Sequence, residues 1–125
     1  MSMSAEDQLA RATAFRELHE SGRTFVIPNP WNAGSARILE QLGFPALTTT
    51  SGGLAASLGF QDGGLELVSR DETLDNAAEI TAATSLPVAT DLENGYADTS
   101  EGVAETIRLA AEAGVVSGSI EDASG

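Results

Sequence analysis

Residues 86–121 read LPVATDLENGYADTSEGVAETIRLAAEAGVVSGSIE. A short apolar run, PVATDLE, is followed by a stretch with helical spacing and then by a second β-rich run, VVSGSIE. Asp98 to Ser100 offer caps for a helix over 101–113, Val103, Ala104, Ile107 and Ala111 fall on one face of it, and Gly114 ends it. Strand, helix and strand joined this closely predict parallel strands linked by a crossover.

The same unit recurs upstream. TFVIP (24–28) reads as a buried strand ended by Pro28, and Asn32 caps a helix over 33–42 with Ala36, Leu39 and Leu42 on one face. ALTTTS (46–51) is a further strand, and Ser69 with Glu72 makes a capping box for a helix over 70–84 facing inward through Leu74, Ala77, Ala78 and Thr81. An N-terminal helix over 5–21 precedes them, with Leu9, Ala12, Phe15 and Leu18 as its apolar stripe and Ser21-Gly22 as its stop. The pattern αβαβαβαβ is that of an α/β protein with a parallel sheet. It forms one domain over 1–125, a helix over 1–22 and strand–helix units over 24–125, and periodicity alone leaves open whether the sheet is a doubly wound layer or part of a closed barrel.

Composition narrows the chemistry. The chain of 125 residues carries 19 Asp and Glu against 6 basic residues, a net charge of −13, which disfavours nucleic acid and anionic membranes and suits cationic partners such as metal ions. Cysteine is absent, excluding disulfides, thiolate metal sites and a cysteine nucleophile within this chain. No apolar run approaches the roughly 18 residues of a membrane span, and the N-terminus lacks a basic region leading into an apolar one. A cytoplasmic protein is expected. All six basic residues are arginines, so no lysine can form a Schiff base and an amine-dependent aldol route is closed to these residues.

The ends of parallel strands are where α/β proteins place their sites. Strand alternation sets Ala89, Asp91 and Glu93 on one face and Ser117, Ser119 and Glu121 together on the next strand. Three converging carboxylates repel one another unless protonated or neutralised, and a divalent cation held by hard oxygen donors answers that, Mg²⁺ foremost and Mn²⁺ second. The alternative is that these acids are solvated loop residues. Ser51-Gly52-Gly53, after the preceding strand, offers a hydroxyl and bare backbone N–H groups to a carboxylate or phosphoryl group; it also reads as a plain glycine turn. Asp62 lies in the glycine-rich stretch 52–68, which has the composition of a mobile lid or, equally, of an exposed turn.

Four separated stretches, IPNPWNAGSARILEQLGFPALTTTSGGLAASLGFQDGG, SRDETL, LPVATDLENGYAD and GSIEDASG, together resemble the isocitrate lyase and phosphoenolpyruvate mutase superfamily, in order and from about residue 15 onward. The resemblance implies a (β/α)₈ barrel of which this chain is the N-terminal half, with about four parallel strands and an extra N-terminal helix. It implies Mg²⁺ at the C-terminal face and cleavage or formation of C–C or P–C bonds in small α-keto or hydroxy acids through an enolate-like intermediate. Carried over by motif, Asp91 touches the metal directly, Glu93 and Glu121 hold metal-bound waters, Ser51, Gly52 and Gly53 grip the substrate carboxylate, and Asp62 is the catalytic aspartate of the gating loop. Asn32 stands where many relatives have aspartate, and Ala97 where a glycine is frequent.

Barrels of this kind need about 250 residues, so the later catalytic loop and arginine are expected outside this chain. The chain alone is then expected to be inactive, completed by a C-terminal half or by oligomerisation. An inactive remnant and a stand-alone doubly wound binding domain are the competing expectations, and the second is weakened by the missing lysine and by Pro28-Asn29 at the first strand's end.

Overall fold

Each helix begins on a short polar side chain that accepts a backbone N–H from its first turn. In the computed structural model, which describes residues 3–62 and 68–123, these caps are Ser4, Asn32, Thr50, Ser69 and Thr99. They open α1 (Ala5–Glu20), α2 (Ala33–Gln41), α3 (Ser51–Leu58), α4 (Arg70–Ala83) and α5 (Ser100–Glu112). Both Asn32 with Ser35 and Ser69 with Glu72 complete capping boxes. Three strands, β1 (Leu47–Thr48), β2 (Val88–Asp91) and β3 (Ser117–Ser119), form a parallel sheet in the order β1-β2-β3. The α/β class and the parallel connections expected from the sequence are therefore present.

The core lies between the sheet and its helical layer. Leu74, Ala77 and Ile80 of α4 pack with Ala36 of α2, Leu47, Val88 and Leu92 of the sheet, and Ala110 and Val115 at the end of α5. Ile80 is fully buried, and Ile80→Ala is expected to cost about 2–5 kcal/mol through lost burial and a residual cavity. The readout is a lower urea midpoint at unchanged slope; a loss below about 1 kcal/mol would mean that α4 is not the keystone of the layer.

Several expectations are corrected. The segment 24–28 is extended but makes no ladder: Thr48 N–H donates to the Pro28 carbonyl at 3.2 Å, and Pro28 has no N–H with which to pair. Three strands stand where four were expected among the described residues. The strand expected over 46–51 shrinks to two residues because Thr50 caps a helix, so residues 52–58 of the supposed lid are helical, with Gly53, Leu54 and Ala55 buried. Residues 63–67 of that lid lie outside the described residues. α5 is rotated about one position from expectation: Thr106 and Ala110 are buried, and Ile107 is half-exposed.

No side chain of α1 is fully buried: of its expected stripe Ala12, Phe15 and Leu18 are half-buried and Leu9 is 68% exposed. Polar groups also dock it. Gln8 Nε2 donates to the carbonyls of Ala111 (2.7 Å) and Val115 (3.0 Å), and Arg11 Nη1 donates to those of Thr81 and Leu86 (both 3.3 Å). Thr81 lies in the last turn of α4, where carbonyls lack helical partners and the helix dipole favours a cation such as Arg11, and Ala111, in the last turn of α5, accepts the Gly114 N–H as well as Gln8. Among the described residues no helix is long and apolar enough to cross a membrane.

Register decides which side chains leave the core. Leu47 pairs with Val88, both buried against the helices, so the alternate set Thr48, Ala89 and Ser117, with Asp91 and Ser119 one step further, lies on the opposite face. Gly118 points back to the helical side, where an added Cβ would meet Leu92 Cδ1 at 3.2 Å. All three residues of β3 are exposed.

Candidate active site

The end of β2 is fastened by hydroxyls. Thr49 Oγ1 lies 3.1 Å from Thr90 Oγ1 in a buried pair and accepts the Asp91 N–H at 3.0 Å. Thr49 thereby continues the β1–β2 association one residue beyond the ladder, helped by its own N–H to the Ala89 carbonyl.

Asp91, so placed, is shared between two elements. Its Oδ2 accepts the Ser51 N–H of the first turn of α3 at 3.2 Å, and its Oδ1 accepts the Glu93 N–H at 3.0 Å. The first bond sets a carboxylate at a helix N-terminus, where the dipole favours negative charge. The second begins a turn that takes the chain off the sheet.

That turn replaces the alternation expected from the sequence. Glu93 has φ +49°, Gly95 φ +85° and Tyr96 φ +55°, so strand geometry ends at Asp91 and Glu93 reaches its position through left-handed backbone. Gly95 N–H closes onto the Leu92 carbonyl at 2.7 Å, and the Asn94 side chain accepts the Tyr96 N–H at 3.0 Å. The Glu93 carbonyl accepts the Glu121 N–H at 2.6 Å, which ties the exit of β3 to this turn.

Burial pushes the Glu93 carboxyl above its ordinary range; the Ser51 hydroxyl opposes that by hydrogen bonding, and the Asp91, Asp62 and Glu121 carboxylates reinforce it. Four acids thus act on one another at the C-terminal end of the sheet. Asp62 lies over the start of α3, its Oδ2 3.0 Å from where a Cβ on Gly52 would stand. Gly53 admits no side chain either, since its Cβ would lie 2.4 Å from Trp31 Cδ1.

Ser51, Asp62, Asp91 and Glu93 are therefore neighbours. Glu121 joins them through its backbone and its charge, its own residue being exposed. Ser51, Gly52 and Gly53 form the first turn of a helix, where a loop was expected. Among the described residues no three of His, Cys, Asp and Glu stand close enough to ligate one ion directly. The donor set nevertheless suits a hard cation: all oxygen, strongly negative, and with Asp91 already oriented by two N–H groups.

Side chains that hold the site went unread in the sequence. Thr49, Trp31 and the Tyr96–Thr73 hydroxyl pair, 2.8 Å apart, act across elements and carry no local motif. The one legible signal was an aromatic residue directly after Asn-Gly, an unusual place for a ring in a tight turn.

A family model described as phosphoenolpyruvate phosphomutase matches residues 15–125. A solved structure of a candidate lyase/mutase from Burkholderia cenocepacia shares 55% identity at a TM-score of 0.91, covering 97% of this chain and 42% of that one. 2-Methylisocitrate lyase of Halalkalibacterium halodurans is 32% identical over 117 residues, 94% of this chain and 38% of the lyase. A phosphonopyruvate hydrolase solved with oxalate and Mg²⁺ is 25% identical at a TM-score of 0.84, over 90% of this chain and 38% of the hydrolase. The chain spans about two fifths of the length of the proteins it matches.

Proposed function

Because the chain belongs to the phosphoenolpyruvate phosphomutase family, within the wider group that includes isocitrate and 2-methylisocitrate lyases, we propose that it builds the metal and carboxylate portion of an active site for small α-keto or hydroxy acids. The observation that carries this reading is the Asp91 carboxylate, bonded at once to the first turn of α3 and to the turn bearing Glu93. Family relatives are lyases and mutases; C–C or P–C cleavage or formation through an enolate-like intermediate is the chemistry proposed here.

When bound, Mg²⁺, or Mn²⁺ in its place, would act as a Lewis acid that polarises an α-keto carboxylate. Asp91 would hold it directly, with Glu93 and Glu121 holding its waters. The chain's own residues do the rest. The start of α3 would offer the Ser51 hydroxyl, which also bonds Glu93, and the side-chain-free backbone at Gly52 and Gly53, whose N–H at Gly53 already serves the Thr50 cap, to a substrate carboxylate, aided by the helix dipole. Asp62, facing Gly52, closes that end of the site and stands where it would order the substrate and exclude water.

The test joins residues 1–125 to the corresponding C-terminal portion of the Burkholderia cenocepacia protein and assays keto-acid, hydroxy-acid and phosphonate substrates with Mg²⁺. Turnover is expected from the joined protein and is expected to vanish with chelator. The 125-residue chain alone is expected to show none, because the site residues described here leave one side of the substrate uncontacted and each missing transition-state contact costs about 2.7–4 kcal/mol. A well-folded joined protein without turnover on any of these acids, or full turnover from the chain alone, would overturn the reading.

A further inference from the structure

We propose that Tyr96 is a positioning residue for the acid site: its hydroxyl, bonded to Thr73 on α4, holds the left-handed turn 93–96 in the form that sets Glu93 beside Asp91. The proposal rests on the reading that Glu93 serves a bound cation. Its own support is geometric.

Two non-glycine residues in four, Glu93 and Tyr96, have positive φ, and such backbone persists only where its surroundings over-determine it. At Glu93 the determinants are visible. The N–H is held by Asp91, the carbonyl by the Glu121 N–H, and both of those bonds constrain the residue's peptide planes without fixing which way the turn returns to the protein. The return is made by Tyr96. Its ring is partly buried, its N–H is taken by Asn94, and its hydroxyl meets Thr73 Oγ1 at 2.8 Å. Thr73 is 4% exposed and sits in the first turns of α4, the helix that carries the core. The Tyr96–Thr73 bond is thus a side-chain link between the turn and the helix that contributes most to the core. Below the turn, Gly95 lies against Val103 of α5, so the chain is pressed from one side and anchored on the other.

Tyr96→Phe removes only the hydroxyl, and Thr73→Val only its partner. Two readouts are taken on the 125-residue chain. The first is the strong intraresidue amide-to-Hα cross-peak that positive φ produces at Glu93 in NMR spectra. The second is Mn²⁺ affinity by electron paramagnetic resonance. Both variants are expected to weaken the cross-peak and to lower Mn²⁺ affinity about three- to tenfold, the worth of one hydrogen bond. The double variant is expected to be no worse than the weaker single, since both remove the same bond.

A Glu93 cross-peak of wild-type strength in both variants overturns the proposal, whatever the melting temperatures do, because a purely structural bond would lower stability and leave Glu93 where it is. Should Thr73→Val fail to fold, Tyr96→Phe alone decides by the same cross-peak. A wild-type chain that binds no Mn²⁺ defeats the cation reading, and the cross-peak still decides the positioning role.

Discussion

Asp91→Asn is expected to lower the affinity of the chain for Mg²⁺ or Mn²⁺ roughly a hundredfold or more. Residues that merely orient a metal's ligands cost about 10- to 100-fold when removed, and Asp91 is the proposed direct ligand. The substitution also leaves one of two N–H groups facing an amide donor, because Asn offers a single acceptor oxygen where Asp91 now serves both Ser51 and Glu93. A stability loss of about 1–3 kcal/mol accompanies it for that reason. Calorimetric titration of wild type and variant, each at a temperature where both are folded, separates the two effects. Equal affinities would remove Asp91 from the metal site.

Gly95→Ala carries a structural cost as large as that of Ile80→Ala. A Cβ at this position would lie 2.8 and 2.9 Å from the two Cγ atoms of Val103, and the residue sits at φ +85°. Overpacking contributes about 1–3 kcal/mol and left-handed backbone about 1–2 kcal/mol. The two parts can be separated. Gly22→Ala, at φ +69° with nothing within 4 Å of its Cβ, is expected to show the backbone part only. Adding Val103→Ala to Gly95→Ala is expected to recover part of the packing loss. Melting temperatures that fall equally for the Gly22 and Gly95 variants would mean that the turn moves away from α5 at little cost.

Local chemistry is what the sequence displays, and the outcome follows that boundary. Helix starts were legible because caps act within three residues: Asn32, Ser69 and the Asp98–Ser100 region announce α2, α4 and α5 directly. β2 was legible as an apolar run ending on an acid. Strand extents were not, because a strand is as long as its neighbour's hydrogen bonds allow. VVSGSIE keeps only Ser117–Ser119, and TFVIP runs into Pro28, which offers β1 a carbonyl and no donor.

The first turn of α3 shows the same limit from the other side. Ser51-Gly52-Gly53 looks like a loop by propensity, yet Thr50 caps it and the burial of Leu54 and Ala55 outweighs the glycine penalty. The alternation used to group the acids ends at Asp91 and fails at Glu93, where φ turns positive. The neighbourhood of Asp91 and Glu93 is made by a turn anchored across 23 residues through Tyr96 and Thr73. No periodicity in a single sequence reports a contact of that kind.

A helix with no fully buried side chain, fastened by Gln8 and Arg11, is expected to have an opening equilibrium of its own. Releasing α1 breaks four side-chain bonds to carbonyls and leaves the α4 side of the cluster, Leu74, Ala77 and Ile80 against the sheet, in place. In native-state hydrogen exchange its amides belong to a separate, low-free-energy unit, exchanging through local release while those of α4 wait for global unfolding. Proteolysis within residues 5–20 would then track that local equilibrium and leave the sheet and its acids standing.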